Sequence, residues 1–83
     1  MQEDNDILSG FAEVLEKVAK VDRTEITRDK RLRDDFGIDS LSMIDVAVAA
    51  EDAFGVLLPD EDVEQFKTVG DAVDYIQQAR VAV

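Results

Sequence analysis

The sequence predicts an all-α fold, a four-helix bundle with three longer helices, one short third helix and a long loop between helices 1 and 2. Near both ends of the chain, apolar residues recur at steps of three and four, the period of one buried helix face. Between these segments an apolar stretch runs into Gly55 and Pro59, both typical helix stops. No segment alternates apolar and polar residues as a strand would. At 83 residues the chain has room for a single domain, 1–83, with one modest core.

Helices 1 and 4 are predicted from their apolar stripes. Helix 1 is expected over 6–19, with Asn5 or Asp6 as its N-cap. Helix 4 is expected over 69–80, capped by Thr68. The expected inward residues are Ile7, Leu8, Phe11, Val14, Leu15 and Val18 in the first helix and Val69, Ala72, Val73 and Ile76 in the last.

The long loop and the short helix complete the predicted bundle. Helix 3 is expected over 60–66, because acids in a first turn suit the positive end of a helix. The loop covers 21–37, and its apolar residues should anchor it inward; they are Val21, Ile26, Leu32 and Phe36. Its bases alternate with acids, which is typical of an ordinary charged surface; they are Arg23, Arg28, Lys30, Arg31 and Arg33.

Helix 2, expected from Asp39 or Ser40 to Gly55, has two apolar faces when its residues are placed about 100° apart. One face should join the core and consists of Met43, Val46, Ala47, Ala50 and Phe54. The other consists of Leu41, Ile44 and Val48, with Asp45, Glu51 and Asp52 beside them. Apolar anchors with a charged rim are typical of a protein-docking patch. The alternative is that both faces are core.

Negative charge is concentrated around this helix. The formal net charge is −11, and ten of the 20 acidic residues lie between Arg33 and Lys67, an interval without Lys or Arg. Such a field repels nucleic-acid phosphate and anionic lipid and attracts basic protein surfaces. A solvated face without a partner is the alternative.

The composition excludes several classes of site. Without Cys or His, the chain has no disulfide, thiolate nucleophile, imidazole base or Cys/His zinc site. It has no Gly-rich phosphate loop, and the acids after Asp60 lack the glycine of a calcium loop, so no metal site is expected. No apolar run reaches the roughly 18–20 residues of a membrane span, and the acidic start is unlike a secretory signal. We therefore expect a cytoplasmic, monomeric, non-enzymatic protein.

Ser40 stands where helix 2 should begin. A serine nucleophile needs a base, yet no Lys lies between Lys30 and Lys67. The nearby acids Asp35 and Asp39 disfavour an alkoxide. From the residues alone, Ser40 is either a plain N-cap or the attachment point of an anionic group, since a helix N-terminus stabilises a phosphodiester.

Several motifs in order resemble the acyl carrier proteins. They are Gly37-Ile38-Asp39-Ser40-Leu41, the acidic helix that follows, Pro59-Asp60-Glu61-Asp62 and Thr68-Val69-Gly70-Asp71. The likeness extends from the first helix to Ile76. Residues 39–43 and 49–51 look most similar to actinobacterial carriers of the dissociated fatty-acid-synthase type. Two departures are Phe36, where leucine is usual, and Ser42, where many relatives have an acid.

The resemblance implies a function and a site. It implies a 4′-phosphopantetheine arm attached to Ser40, flanked by Asp39 and Leu41, that holds acyl chains as thioesters for fatty-acid biosynthesis enzymes. The arm's thiol supplies chemistry that a cysteine-free chain lacks. Implied partners are a phosphopantetheinyl transferase, acyl or malonyl transferases and ketosynthases, met through their basic patches. The residues implied in docking are Asp39, Leu41, Ile44, Asp45, Val48, Glu51 and Asp52.

Two other functions stay open at this point. The chain could serve as a carrier in a polyketide or lipopeptide pathway, which neighbouring genes or the accepted loading enzyme would reveal. It could also be an unmodified acidic adaptor whose second helix only binds a protein, in which case the apo form would bind its partner tightly.

Overall fold

The computed structural model describes residues 3–81, with side chains described over 6–80. In that range the chain forms α1 Glu3–Ala19, a 3-10 turn Arg23–Glu25, α2 Ser40–Phe54, α3 Asp60–Val63 and α4 Val69–Val81. The predicted all-α fold, with its long loop and short third helix, is confirmed. None of the described helices combines the length and the apolar character that a membrane crossing requires.

The boundaries of α1 and α3 differ from the prediction, and the 3-10 turn Arg23–Glu25 was not predicted. α1 begins at Glu3, so the N-cap predicted at Asn5 or Asp6 is wrong; acids within the first turn suit the helix dipole equally well. α3 ends at Val63 instead of residue 66, since the chain turns there and Phe66 packs against Tyr75 of α4, with ring centroids 5.5 Å apart.

The stripes predicted for α1 and α4 supply eight of the 19 buried core residues in the described part of the chain. Leu15 and Ile76 are completely buried, and Leu8 and Val18 are half-buried at the edge. The other predicted inward residues are buried as expected: Ile7, Phe11, Val14, Val69, Ala72 and Val73. α1 packs against both α2 and α4.

The core face of α2 is also as predicted. Met43, Val46, Ala47 and Ala50 are buried, while Phe54 is half-buried and lies over Gly10 of α1. A Cβ atom on Gly10 would lie 2.8 Å from Cζ of Phe54, so the ring can approach α1 this closely only over a glycine. Gly55 ends the helix in the left-handed conformation, with φ of 68°.

Backbone hydrogen bonds tie the long loop to the segment before α4. They run from the N–H of Leu32 to the carbonyl of Lys67, from Val69 to Lys30 and from Gly70 to Arg28, each at 2.9 Å. Ile26 and Leu32 are buried, whereas Val21 and Phe36 are only half-buried, so the loop anchors inward less completely than predicted. This anchoring fixes the place from which the chain enters α2.

Candidate attachment and docking site

Ser40 is the first residue of α2, and its side chain is exposed. The N-cap is the preceding residue, Asp39, whose carboxylate accepts a hydrogen bond of 2.9 Å from the N–H of Ser42. The interpretation of Ser40 as a plain N-cap is therefore wrong. Its hydroxyl stands at the positive end of a 15-residue helix without being used to cap it.

The Asp39 carboxylate is held in its charged form. The N–H of Ser42, and then its hydroxyl, lower the pKa of Asp39 below the ordinary value of 3.8, and the nearby Arg33 guanidinium adds a smaller effect in the same direction. A negative charge is therefore fixed directly beside Ser40.

Arg33, near the end of the long loop, contacts the serine itself. Its guanidinium donates a hydrogen bond of 3.1 Å from Nη2 to Oγ of Ser40. A guanidinium stays protonated and cannot accept the hydroxyl proton, so this contact offers no general base. The sequence predicted an ordinary charged surface for this residue; Arg33 is exposed accordingly, but its contact with Ser40 was not predicted.

A cavity of about 720 Å³ opens beside Ser40, between the long loop, α2 and α3. Ile38, Met43, Val63 and Phe66 contribute apolar walls, and charged residues of both signs also line it. The cavity therefore offers an apolar interior next to the hydroxyl that would carry a flexible group.

The second apolar face of α2 is exposed. Leu41 is 75% exposed, Val48 59% and Ile44 40%, so the alternative that both faces are core is wrong. Leu57, which is 79% exposed in the loop after α2, extends this face beside Val48 and was missed. The sequence does contain a signal for it: the three apolar residues before Pro59 favour an extended segment, in which successive side chains point to opposite sides. Leu57 is accordingly exposed between buried Val56 and buried Leu58.

The acids proposed for docking differ in their surroundings. Asp45 and Asp52 are exposed, whereas Glu51 is half-buried and its carboxylate accepts a hydrogen bond of 2.7 Å from the N–H of Leu58. Glu51 thus ties the C-terminal turn of α2 to the segment that leads into α3. The described side chains include no group of three or more acids placed to hold a metal ion.

An exposed serine without a base, set beside a partly apolar cavity and an exposed apolar face, is the arrangement expected of a carrier site. Residues 9–76 match the family model described as "Phosphopantetheine attachment site". The acyl carrier protein of Acidothermus cellulolyticus is 49% identical over 77 residues, which are 93% of this chain and 92% of that protein. The acyl carrier protein of Thermobifida fusca is 47% identical over 90% of this chain and 95% of its own length.

A further relative is longer than this chain, and a solved structure shares its fold. The meromycolate extension acyl carrier protein of Mycobacterium leprae is 49% identical over 88% of this chain, which spans only 64% of that relative. The crystal structure of an acyl carrier protein from Thermotoga maritima shares the fold, with a TM-score of 0.86 over 99% of this chain and 95% of that one, at 21% identity.

The chain therefore belongs to the acyl carrier proteins, the carriers of phosphopantetheine. Members of this family are carriers and not enzymes; they work with fatty-acid synthase enzymes and with a phosphopantetheinyl transferase. The residues present fit the group, because Ser40 is exposed at a helix N-terminus, touches a cation and borders the cavity.

Proposed function

We propose that Ser40 carries 4′-phosphopantetheine and that the chain presents acyl groups to enzymes of fatty-acid biosynthesis. The observation that carries the proposal is that Asp39 caps α2, which leaves the Ser40 hydroxyl exposed and free of a structural task at the helix start. When bound, the group supplies a thiol that holds acyl chains as thioesters.

The attachment follows from simple group transfer. Oγ of Ser40 forms a bond to the phosphorus of the pantetheine phosphate of coenzyme A, and the bond from that phosphorus to adenosine 3′,5′-bisphosphate breaks. The hydroxyl proton must leave to a base of the transferase, because the side chain touching Oγ is the protonated guanidinium of Arg33. Asp39 keeps the helix start in place through its bond to Ser42.

Docking rests on the exposed face of α2. Leu41, Ile44 and Val48 supply apolar anchors, and Asp45 and Asp52 supply exposed negative charge for basic patches on the transferase and on acyl-transferring enzymes. Ion pairs of this kind speed encounter more than they strengthen the complex, which suits a carrier that must leave each partner. Asp39 adds a third charge beside the attachment point, while Glu51 contributes through the loop that it holds.

The names of the relatives favour a fatty-acid pathway over polyketide or lipopeptide assembly. Relatives from Mycobacterium are named for meromycolate extension, the lengthening of a fatty acyl chain. The monomeric state and cytoplasmic location expected from the sequence stay predictions, as does the single domain over 1–83.

The attachment is tested by mass spectrometry. The apo chain is incubated with coenzyme A and a phosphopantetheinyl transferase of broad specificity, and the intact mass is expected to rise by one phosphopantetheine group. Fragmentation should place the added mass on Ser40, and Ser40→Ala should gain nothing. An unmodified wild-type chain, or an equal gain by Ser40→Ala, would refute the proposal.

The docking surface is tested by reversing charge. Asp45→Lys combined with Asp52→Lys is expected to slow loading by the transferase, with a larger effect at low ionic strength because salt screens exposed charges. The matched control is Glu16→Lys with Glu25→Lys, which makes the same change in net charge at exposed positions away from α2. Equal slowing in both double variants would show that net charge alone matters and would refute the assignment.

A further inference from the structure

The Arg33 guanidinium lies at the start of α2, where it attracts the Asp39 carboxylate and contacts Ser40. Arg28 pairs with Asp74 at 2.7 Å and Arg31 with Asp34 at 3.3 Å. Arg33 forms no such ion pair in the described part of the chain, and its guanidinium contacts a neutral hydroxyl at the N-terminus of α2. A cation there opposes the helix dipole, and an anion bonded to Oγ of Ser40 would lie next to that cation.

We propose that Arg33 holds the phosphodiester formed on Ser40 and thereby directs the attached arm toward the neighbouring cavity. The inference rests on the proposed attachment at Ser40. Arg33 is a positioning residue here, because it acts on the linkage and takes no part in acyl transfer.

The chemistry of the linkage matches the arginine. A phosphodiester carries one negative charge on its non-bridging oxygens, and these are bonded to the same phosphorus as Oγ, the atom that Arg33 already contacts. Guanidinium binds phosphate oxygens through two parallel N–H donors and so fixes direction as well as charge.

The position of Arg33 selects the side on which the cavity lies. Arg33 and Ser40 both line the cavity of about 720 Å³, together with the apolar side chains of Met43 and Val63. A linkage drawn toward the guanidinium therefore begins at the mouth of this cavity and not on the face with Leu41, which is 75% exposed.

Nuclear magnetic resonance of loaded protein tests the proposal directly. Wild type, Arg33→Gln, Arg33→Lys and the control Arg80→Gln, at an exposed position outside the cavity, are loaded from coenzyme A, and loading is verified by mass. The phosphorus-31 resonance of the diester is expected to move in Arg33→Gln, to move less in Arg33→Lys and to stay in place in Arg80→Gln. Loading should also raise the Tm of wild type by about 2–4 °C more than that of Arg33→Gln, as expected for one exposed charge pair.

A second measurement needs only the wild-type chain. The Nε–H resonance of Arg33, assigned as the signal absent from apo Arg33→Gln, should shift when the protein is loaded, while that of Arg80 should not. Unchanged phosphorus-31 and Nε–H resonances in fully loaded protein would overturn the role of Arg33 and leave the attachment at Ser40 intact. Failure of wild type to gain mass would instead refute the attachment itself.

Discussion

Replacing Glu51 and Asp52 one at a time distinguishes an acid with a structural role from an acid that we propose for docking on the same turn of α2. The Glu51 carboxylate accepts a hydrogen bond of 2.7 Å from the N–H of Leu58, whose side chain is only 3% exposed. Asp52, the next residue, is exposed and makes no side-chain hydrogen bond or ion pair in the described part of the chain. Glu51→Ala should therefore destabilise the fold, and Asp52→Ala should not.

The expected magnitude follows from the contact. Both variants remove one negative charge from the last turn of α2, so relief of the unfavourable dipole interaction and of general repulsion is about equal. The difference between them is the hydrogen bond: leaving the Leu58 N–H without its acceptor costs about 1–3 kcal/mol, and partial access of water to half-buried Glu51 favours the lower half of that range. At roughly 4–8 °C per kcal/mol for a domain of this size, Glu51→Ala should melt at least about 4 °C below Asp52→Ala.

The assay is thermal and urea unfolding of the apo variants, followed by circular dichroism at one ionic strength. Glu51→Gln keeps an acceptor oxygen and should fall between wild type and Glu51→Ala. Equal melting temperatures for Glu51→Ala and Asp52→Ala would refute the structural role of Glu51. In the transferase assay, Asp52→Ala should slow loading without loss of stability, whereas slowing by Glu51→Ala should accompany its lower Tm.

Three further predictions concern the helix start, the docking face and the core. Because the N–H of Ser42 lowers the pKa of Asp39, the stability from this charge is present above pH 3.8 and is lost as the pH falls through the lower folded value. Asp39→Asn, which still caps, should therefore unfold at a lower urea concentration than wild type at neutral pH. The difference between the two unfolding midpoints should disappear in acid; a difference that stays constant would contradict this. Leu57→Ser removes a side chain that is 79% exposed, so it should leave Tm unchanged and lower kcat/KM of the transferase about two- to fivefold; unchanged kinetics would exclude Leu57 from docking. Leu15→Ala opens a completely buried site and should cost about 2–5 kcal/mol in urea unfolding, and a loss below about 1 kcal/mol would contradict its place in the core.

Periodicity predicted the parts of the fold that depend on local pattern. The stripes of α1 and α4 and the two faces of α2 follow from one helical period, which is why Val46 is buried and Val48 exposed as expected. The end of α3 depends instead on a tertiary contact, since Phe66 turns away to meet Tyr75. The spacing of residues along the sequence does not predict such a contact.

The site was predictable where it depends on residue type and unpredictable where it depends on side-chain reach. The position of Ser40 at the start of α2 followed from the helix signals. The absence of a nearby base argued separately against a nucleophilic role. The contact from Arg33 crosses seven residues of irregular loop, and the bond from Glu51 to Leu58 spans a helix end and a turn. Both contacts depend on the path of the backbone outside the helices, which hydrophobic periodicity does not predict.

The backbone hydrogen bonds between the long loop and the chain around the start of α4 affect when, during folding, Ser40 reaches its final position. The backbone hydrogen bond of 2.9 Å between Leu32 and Lys67 joins residues that are 35 positions apart in the sequence, so the loop before Ser40 is fixed only after the C-terminal part is present. Such non-local closure is slow and comes after local helices have formed. During synthesis on the ribosome, the serine is therefore presented in its final setting only once the segment around residue 70 has emerged. Under the proposed attachment at Ser40, we therefore expect the arm to be loaded only after the fold is complete.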